Sequence, residues 1–560
     1  MKRRDFLKTA AGTVVFLAGG ARPARAFGHQ ALPPRPAAAD STIDVLVDEP
    51  IGLIPPEIYG HFVEHLGGVV YDGIWVGEQS KVPNIGGIRK ALVDALRKIG
   101  PGVIRWPGGC FADSYNWRDG VGPRAQRARR PNFWIDDPAW PATCPDGPWK
   151  YDTNEFGTDD FVRFSRLVGA QPYLAGNVRS LTAHDFSDWI DYCNAPAGAT
   201  TLAELRASGG ARDPHRVRFW GVGNESWGCG GNFTPEDYAS EYRRFVEWVP
   251  RFGQPLAFVA SGPNGGDAEW TRRFFASMAE RRSVDSVWGW ALHHYSWNVS
   301  GGRTANWNTA KGSAVGYPIE EWYELLLEAT RVESLILDHW AVMAEWDRQH
   351  RVKLVVDEWG AWYRPGSEVD RTHLFGQQST IRDAVLAAET LDIFNRHVDK
   401  VAMANVAQLV NCLQSLFLAH EDQFVVTPTY HVFDLYQAHQ GAQALRTIAM
   451  APAASHTSGN RTVRLAGLSA SASLRGRQVT ITVTNPDTVA PREATIGVHG
   501  TAISHATAVT LAASSIQDVN TFETPDRIRP RETLVAAPRD GRLVHTFPPA
   551  SVTRLQVDLG

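Results

Sequence analysis

Phe219-Trp-Gly-Val-Gly-Asn-Glu-Ser-Trp227 decides how this chain is read. Val217, Phe219 and Val222 make a short apolar run with the pattern of a buried strand. The run breaks at Gly223 into the polar pair Asn224-Glu225, where the strand should end. Gly228-Cys-Gly-Gly231 follows, then Thr234-Pro235-Glu236-Asp237: an N-cap, a proline at the first helical position and acids in the first turn. A carboxylate is therefore expected at the C-terminal end of a strand, facing the loop into a helix. In an α/β barrel that is where chemistry is done. Asn-Glu at one strand end is also ordinary turn chemistry. Leu354-Val-Val-Asp-Glu-Trp-Gly360 repeats the arrangement, an apolar run closing on a carboxylate and a glycine, and makes the pair a candidate site.

The segments on either side alternate in the same way. Strands are expected at 58–63, 103–106, 172–177, 217–222, 256–260, 287–292, 353–357 and 401–406. Helices are expected at 88–99, 183–193, 235–248, 268–281, 319–348 and 376–397. Eight strands separated by helices predict a (β/α)8 TIM barrel, placed at residues 56–430. Residues 107–157 interrupt it as a long stretch rich in Pro, Trp, Arg and Asp with no period, read as a substrate-facing loop. From 431 to 560 the pattern becomes alternating, as in Gln478–Val483, Ala506–Leu511 and Val552–Val557, and predicts an all-β sandwich. The strand at 43–47, within 42–55, is expected to join that β domain.

Composition narrows the function classes. A chain of 560 residues can bury a large core. Its net charge of −4 and pI near 6.5 give no sign of a nucleic-acid partner. The 20 Trp suit stacking on sugar rings, although core packing could also use them. Five cysteines (110, 144, 193, 229 and 412) are odd in number and contain no CxxC, which speaks against a disulfide framework and a structural zinc cluster. At the N-terminus, Lys2-Arg3-Arg4-Asp-Phe-Leu-Lys8, the apolar run Ala10–Leu17 and Ala24-Arg25-Ala26 resemble a twin-arginine signal over residues 1–26. A general secretory signal is the alternative. Export to the periplasm or beyond is expected on either reading, with 27–41 as a Pro/Ala-rich linker. No later stretch reads as a membrane span.

Glu225 and Glu358 fall at the ends of the fourth and seventh barrel strands, from which two side chains can reach one cleft. Glycoside hydrolysis needs such a pair, one acid to protonate the leaving oxygen and one carboxylate to meet the oxocarbenium-like carbon. The acid must keep its proton near neutral pH, and a nearby second carboxylate helps it do so.

The wider pattern resembles the α-L-arabinofuranosidases of glycoside hydrolase family 51, within the clan of retaining barrel glycosidases. The matching segments are Ile58-Tyr-Gly-His-Phe-Val-Glu-His-Leu-Gly67, Arg105-Trp-Pro-Gly-Gly109, Gly223-Asn-Glu225, His293-His-Tyr295 and Asp357-Glu-Trp359. Thr153–Asp159, Ala407–Asn411 and Asn520–Phe522 extend the match, which runs in order across 43–557. The resemblance implies Glu225 as general acid/base, Glu358 as nucleophile and Asn224 on the sugar 2-hydroxyl. It implies that Glu64, Arg105, His293, Tyr295 and Gln408 shape the pocket or orient the carboxylates. Arg105 beside the nucleophile would keep it ionised. His293 and His294 alternate across a strand, so one of them faces the barrel centre, and the resemblance selects His293. Cys110 stands where relatives often carry Asn, which removes a hydrogen-bonding group from the pocket rim. Trp227 and Trp359 read equally as core or pocket wall.

The activity implied is release of terminal arabinofuranosyl residues from arabinose-containing polysaccharides or oligosaccharides such as arabinan and arabinoxylan, with no cofactor and no metal. The same mechanism on xylan or β-glucan backbones is the nearer alternative, and a non-catalytic sugar-binding protein would not need both glutamates. His61-Phe-Val-Glu64-His65 spells the HxxEH of a zinc peptidase, but that site requires a helix. Pro55-Pro56, Gly60 and Gly67-Gly68 favour a strand here. Oligomeric state is left open, a homo-oligomer included.

Overall fold

The computed structural model describes residues 40–299, 306, 307 and 309–560. The leader at 1–26 and nearly all of the linker expected at 27–41 lie outside the described residues.

Strand β1 (Ser41–Leu53) precedes the barrel. Eight parallel strands then close on themselves: β2 (Gly60–Phe62), β3 (Val103–Trp106), β4 (Gln171–Gly176), β5 (Phe219–Val222), β6 (Ala257–Ala260), β7 (Gly289–Ser296), β8 (Lys353–Ala361) and β9 (Val401–Ala407). Pairing of Asn405–Ala407 with Gly60–Phe62 completes the ring. The predicted barrel is therefore present. Its helices include α1 (Lys90–Ile99), α2 (Thr158–Val168), α3 (Ala183–Asn194), α4 (Thr201–Ser208), α5 (Pro235–Val246), α6 (Ala268–Glu280), α7 (Ile319–Met343) and α8 (Ile381–Arg396). Thr234 caps α5 through its hydroxyl with Pro235 in the first turn, as the sequence suggests. Helix α2 was not expected. Asp159 and Asp160 fill its first turn, Phe161, Phe164 and Val168 form its buried stripe, and Gly169 ends it in the left-handed conformation.

The barrel interior is built in layers. Val103, Tyr173, Phe219, Ala257, Val259, Ala291, Val355 and Met403 form one apolar cluster. Two residues further along a strand, the side chain points the same way one layer higher. That step carries Val103 to Arg105, Val355 to Asp357 and Met403 to Asn405. The upper layer is thus polar, and it is the floor on which the site stands. Gly60 leaves room for it, since a Cβ there would lie 2.3 Å from Asn405 Oδ1.

The C-terminal strands are β10 (Gln443–Met450), β11 (Ser469–Arg475), β12 (Gln478–Asn485), β13 (Arg492–His499), β14 (Ile503–Leu511), β15 (Arg531–Thr533), β16 (Leu543–Phe547) and β17 (Ser551–Leu559). With β1 they form one nine-stranded sheet in the order β15-β14-β17-β12-β11-β10-β1-β13-β16, around its own apolar core. The N-terminal strand joins the β domain as expected, antiparallel to β10 and parallel to β13. Helix α8 is wedged between barrel and sheet and is buried on every side from Ile381 to Asn395. Its Asp392 accepts hydrogen bonds from Ser471, Thr482 and Tyr436, which ties the two parts together. Among the described residues no helix is long and apolar enough to cross a membrane.

Candidate active site

Seven of the eight predicted site residues (Glu64, Asn224, Glu225, His293, Tyr295, Glu358 and Gln408) line one pocket of about 660 Å³ at the C-terminal mouth of the barrel. Arg105, the eighth, lies beneath it, 1 % exposed. Arg105 Nη1 donates to Glu358 Oε1 at 2.7 Å, and Nη2 donates to Asn224 Oδ1 at 2.7 Å. Its Nε sits 3.4 Å from Asp357 Oδ2, which also accepts from Tyr173 Oη at 2.9 Å. Tyr295 Oη donates to the other oxygen of Glu358 at 2.7 Å.

Neighbouring side chains on a regular strand face opposite ways, yet both Asp357 and Glu358 meet Arg105. A bulge accounts for this. β7 pairs Leu292 with Val356 and then His293 with Glu358, so Asp357 is one residue too many on β8. Such a bulge re-aims a side chain beside a site. Burial alone would raise the Glu358 carboxyl. His293 and Arg105, with hydrogen bonds from Tyr295 and Arg105, outweigh it and hold Glu358 below the ordinary range.

Glu225 reaches the pocket differently. It follows Gly223 (φ 79°) and itself has φ 39°, a left-handed conformation that costs a residue with a side chain about 1–3 kcal/mol. The turn is pinned: Glu225 O accepts from Gly228 N and Gly230 N, and Ser226 N donates to Ser261 Oγ. The Asn224 amide donates to Asp113 Oδ2 at 2.9 Å, while Asp113 Oδ1 takes the amides of Val178 and Arg179. Asp113 is fully buried, and that burial pushes its carboxyl up to about 7.

His293 stands between the two glutamates, its Nδ1 3.0 Å from Glu225 Oε1 and 3.7 Å from Glu358 Oε2. One oxygen of each glutamate and that nitrogen lie within 4.8 Å of one another. Burial opposes a charge on His293, but Glu358 and Glu225 overcome it and raise its pKa. His294 also lines the pocket but bonds elsewhere than the two glutamates, its Nε2 meeting Glu328 O at 2.9 Å. Glu64 and Gln408 pair reciprocally, Glu64 N donating to Gln408 Oε1 at 3.1 Å and Gln408 Nε2 to Glu64 Oε2 at 3.3 Å. The amides of Gly109 and Phe111 hold the other oxygen of Glu64. Burial first, and Glu358 second, push Glu64 up to about 7.

One sequence reading needs correction here. The cysteines are not all unpaired: Cys110 and Cys229 form a disulfide with Cα atoms 5.5 Å apart, leaving Cys144, Cys193 and Cys412 free. Barrel closure brings together loops 119 residues apart in sequence, which spacing could not reveal. Cys229 Sγ lies 3.7 Å from both Glu225 Oε2 and Asn224 Nδ2, so the cystine forms part of the pocket rim. The strand expected in place of an HxxEH helix is present. Gly60–Phe62 is a strand, His61 is buried against Phe433, Glu64 enters the pocket, and His65 is held by Asp152 and Trp106. The His65–Asp152 contact also anchors the 107–157 stretch, whose Trp134 lines the pocket. Of the two undecided tryptophans, Trp227 lines the pocket and Trp359 is core, packed against Phe394. Asp113, Asp357 and Trp134 were not singled out from the sequence. Only Asp357 carried a signal, its place next to Glu358.

A parallel barrel with two convergent glutamates at the ends of its fourth and seventh strands has the architecture of a two-carboxylate glycoside hydrolase. Models of the "Alpha-L-arabinofuranosidase 1 domain" and the "Alpha-L-arabinofuranosidase C-terminal domain" match residues 95–312 and 357–551. An intracellular exo-α-L-arabinofuranosidase of Bacteroides ovatus is 36% identical over 522 residues, 93% of this chain and 96% of its own length. The GH51 arabinofuranosidase of Xanthomonas axonopodis pv. citri superposes with a TM-score of 0.84 at 34% identity, over 93% of this chain and 100% of that one. The Thermotoga maritima α-L-arabinofuranosidase in complex with arabinose gives 0.75 at 28% identity, again over 93% and 100%. The chain belongs to the α-L-arabinofuranosidases of glycoside hydrolase family 51. The same comparison overturns the export expectation. The Bacteroides ovatus relative, aligned over nearly the whole chain, is an intracellular enzyme, and a basic, apolar N-terminal composition does not by itself fix a compartment.

Proposed function

We propose that this enzyme releases terminal α-L-arabinofuranosyl residues from arabinan, arabinoxylan or oligosaccharides derived from them, by double displacement. Glu358 attacks the anomeric carbon while Glu225 protonates the departing oxygen, and Glu225 then deprotonates the water that hydrolyses the glycosyl-enzyme. The observation that carries this reading is the approach of the two carboxylates, with one oxygen of each within 4.8 Å of the other. Retaining enzymes hold their carboxyl groups about 5–5.5 Å apart, whereas inverting ones leave roughly 6.5–9.5 Å for a water. The depressed Glu358 carboxyl supports its role, because a nucleophile must be ionised. Glu64, Asn224 and Gln408 surround the carboxylates with polar groups suited to a small furanose. Trp227, Trp297 and Trp362 offer flat faces further out.

A panel of aryl α-L-arabinofuranosides, β-xylosides and β-glucosides tests the substrate. Arabinofuranosides should turn over fastest, with free arabinose as the product from arabinan. Faster turnover of xylosides or glucosides would move the assignment to a backbone-cleaving enzyme.

A further inference from the structure

Away from the catalytic pocket, three side chains from three different barrel loops converge on one point. Asp72 lies in the loop after β2, His373 in the loop after β8, and His420 ends the short strand Phe417–His420 after β9. His373 Nε2 is 3.2 Å and His420 Nδ1 3.1 Å from the same oxygen, Asp72 Oδ2, and all three atoms fall within 4.8 Å of one another. We propose that Asp72, His373 and His420 bind a divalent transition-metal ion of the zinc class, at a structural site separate from the glutamate pair.

The spacing suits such an ion. With metal–ligand bonds of about 2.0–2.2 Å, tetrahedral geometry keeps ligand atoms about 3.3 Å apart. Two imidazoles and one carboxylate are a donor set for zinc, cobalt or nickel rather than for magnesium or calcium. The surroundings orient each ligand. On its far side, Asp72 Oδ1 accepts from Glu421 N at 3.0 Å and Arg89 Nη2 at 3.2 Å, which turns Oδ2 toward the histidines. Behind His420, Nε2 stands 3.7 Å from Asp370 Oδ2, a carboxylate backing the second nitrogen of a ligating imidazole as in many metal sites. Asp370 is itself fixed by the amide and hydroxyl of Thr372. The His373 ring is fully buried and lies so close to Gly68 that a Cβ there would come within 2.1 Å of it. His420 and Asp72 are 30 % and 22 % exposed, so an ion can enter and water can complete its shell. Arg89 brings one positive charge nearby, and Asp370 supplies a compensating negative one.

An ion here would cross-link the loops after β2, β8 and β9. Two residues past His373, Phe375 lines the catalytic pocket and accepts from Leu413 N at 3.0 Å, and Leu413 lines it too. Occupancy should therefore stiffen one pocket wall and stabilise the fold without entering the chemistry.

The test strips the full-length protein with EDTA and titrates it with ZnCl2 and with CoCl2. The site predicts binding of one equivalent, a Tm rise of several degrees, and visible Co2+ bands of tetrahedral character. The stripped protein should keep its arabinofuranosidase activity. His420→Ala, at a partly exposed position, and Asp72→Asn should each abolish both signals. Absence of a Tm rise and of Co2+ bands in the wild type would leave the cluster a hydrogen-bond hub and overturn the proposal. So would signals that persist in His420→Ala and accompany inhibition, which would place the ion on Glu225, His293 and Glu358.

Discussion

Arg105 donates to Glu358 across the barrel mouth at 2.7 Å, and with its other terminal nitrogen it holds Asn224 at the same distance. One buried guanidinium thus fixes the carboxylate on β8 and the residue before the carboxylate that follows β5. It can do so because Arg105 points into the barrel two positions above Val103, where the apolar layer ends.

Replacing Arg105 by Gln should move the acidic limb of kcat/KM to higher pH, by about one unit, equivalent to ~1.4 kcal/mol. The sign follows from Glu358, whose carboxyl is held below its ordinary range in the folded protein. Such a group adds stability that is present above its unfolded pKa and is lost as pH falls through the folded one. The Tm of wild type and variant should therefore converge in acid. Removing one partner of a buried pair costs about 3–5 kcal/mol, so the melt is recorded with the pH profile. An unmoved acidic limb in a folded variant would show that Arg105 does not set the ionisation of Glu358.

Glu389 predicts the opposite pH dependence. It is 3 % exposed within α8, its Oε2 has no hydrogen-bond partner among the described residues, and burial pushes its carboxyl up to about 8. Between the unfolded pKa near 4.5 and about 8, the folded state holds a proton that the unfolded state releases. Stability from this group is therefore full in acid and is lost as pH rises through 8. Glu389→Gln should flatten the fall of Tm between about pH 5 and pH 8 and leave arabinofuranoside turnover unchanged. An equally steep fall in the variant would contradict the assignment.

The Cys110–Cys229 disulfide closes a loop across 119 residues, for which chain entropy alone gives about 5 kcal/mol. Cys110→Ser/Cys229→Ser should lower the denaturant midpoint by up to that equivalent. It should also reduce kcat more than it raises KM, because Cys229 borders Glu225 and Asn224. Unchanged kcat in the double variant would limit the bridge to a stabilising role.

The strand ends at Glu225 and Glu358 were legible because apolar runs that close on a carboxylate and glycine leave a periodic trace. Their different routes into the pocket were not. The bulge at Asp357 is set by register against β7, and the left-handed turn at Glu225 by the nearby amides of Gly228 and Gly230 together with the Ser261 hydroxyl from another strand end. The strand register and the Ser261 contact leave no mark in local sequence, although the glycines at 228 and 230 do. The disulfide escaped for a related reason, since its partners meet only once β3 and β5 share a barrel. Helix α2 has its own apolar stripe, but it directly follows the irregular 107–157 stretch, which hides where the helix begins. The tryptophans divide between core and pocket wall. Trp106, Trp117, Trp220, Trp290, Trp322 and Trp359 are fully buried, while Trp134, Trp227, Trp297, Trp307 and Trp362 line the pocket.

Roles for the two glutamates separate on an activated substrate. Glu358→Ala should be inactive on every arabinofuranoside, since both chemical steps need the nucleophile. Glu225→Ala should lose about 10²–10⁴-fold on substrates with poor leaving groups, yet still be glycosylated by a dinitrophenyl arabinofuranoside that needs no acid. Its second step lacks a base, so intermediate should accumulate after an initial burst. Mass spectrometry of proteolysed Glu225→Ala, quenched during that burst, is the most direct measurement. An arabinosyl adduct on the peptide containing Glu358, at that residue, is the predicted result. An adduct elsewhere, or no adduct together with first-formed arabinose of inverted configuration from the wild type, would contradict double displacement through this pair.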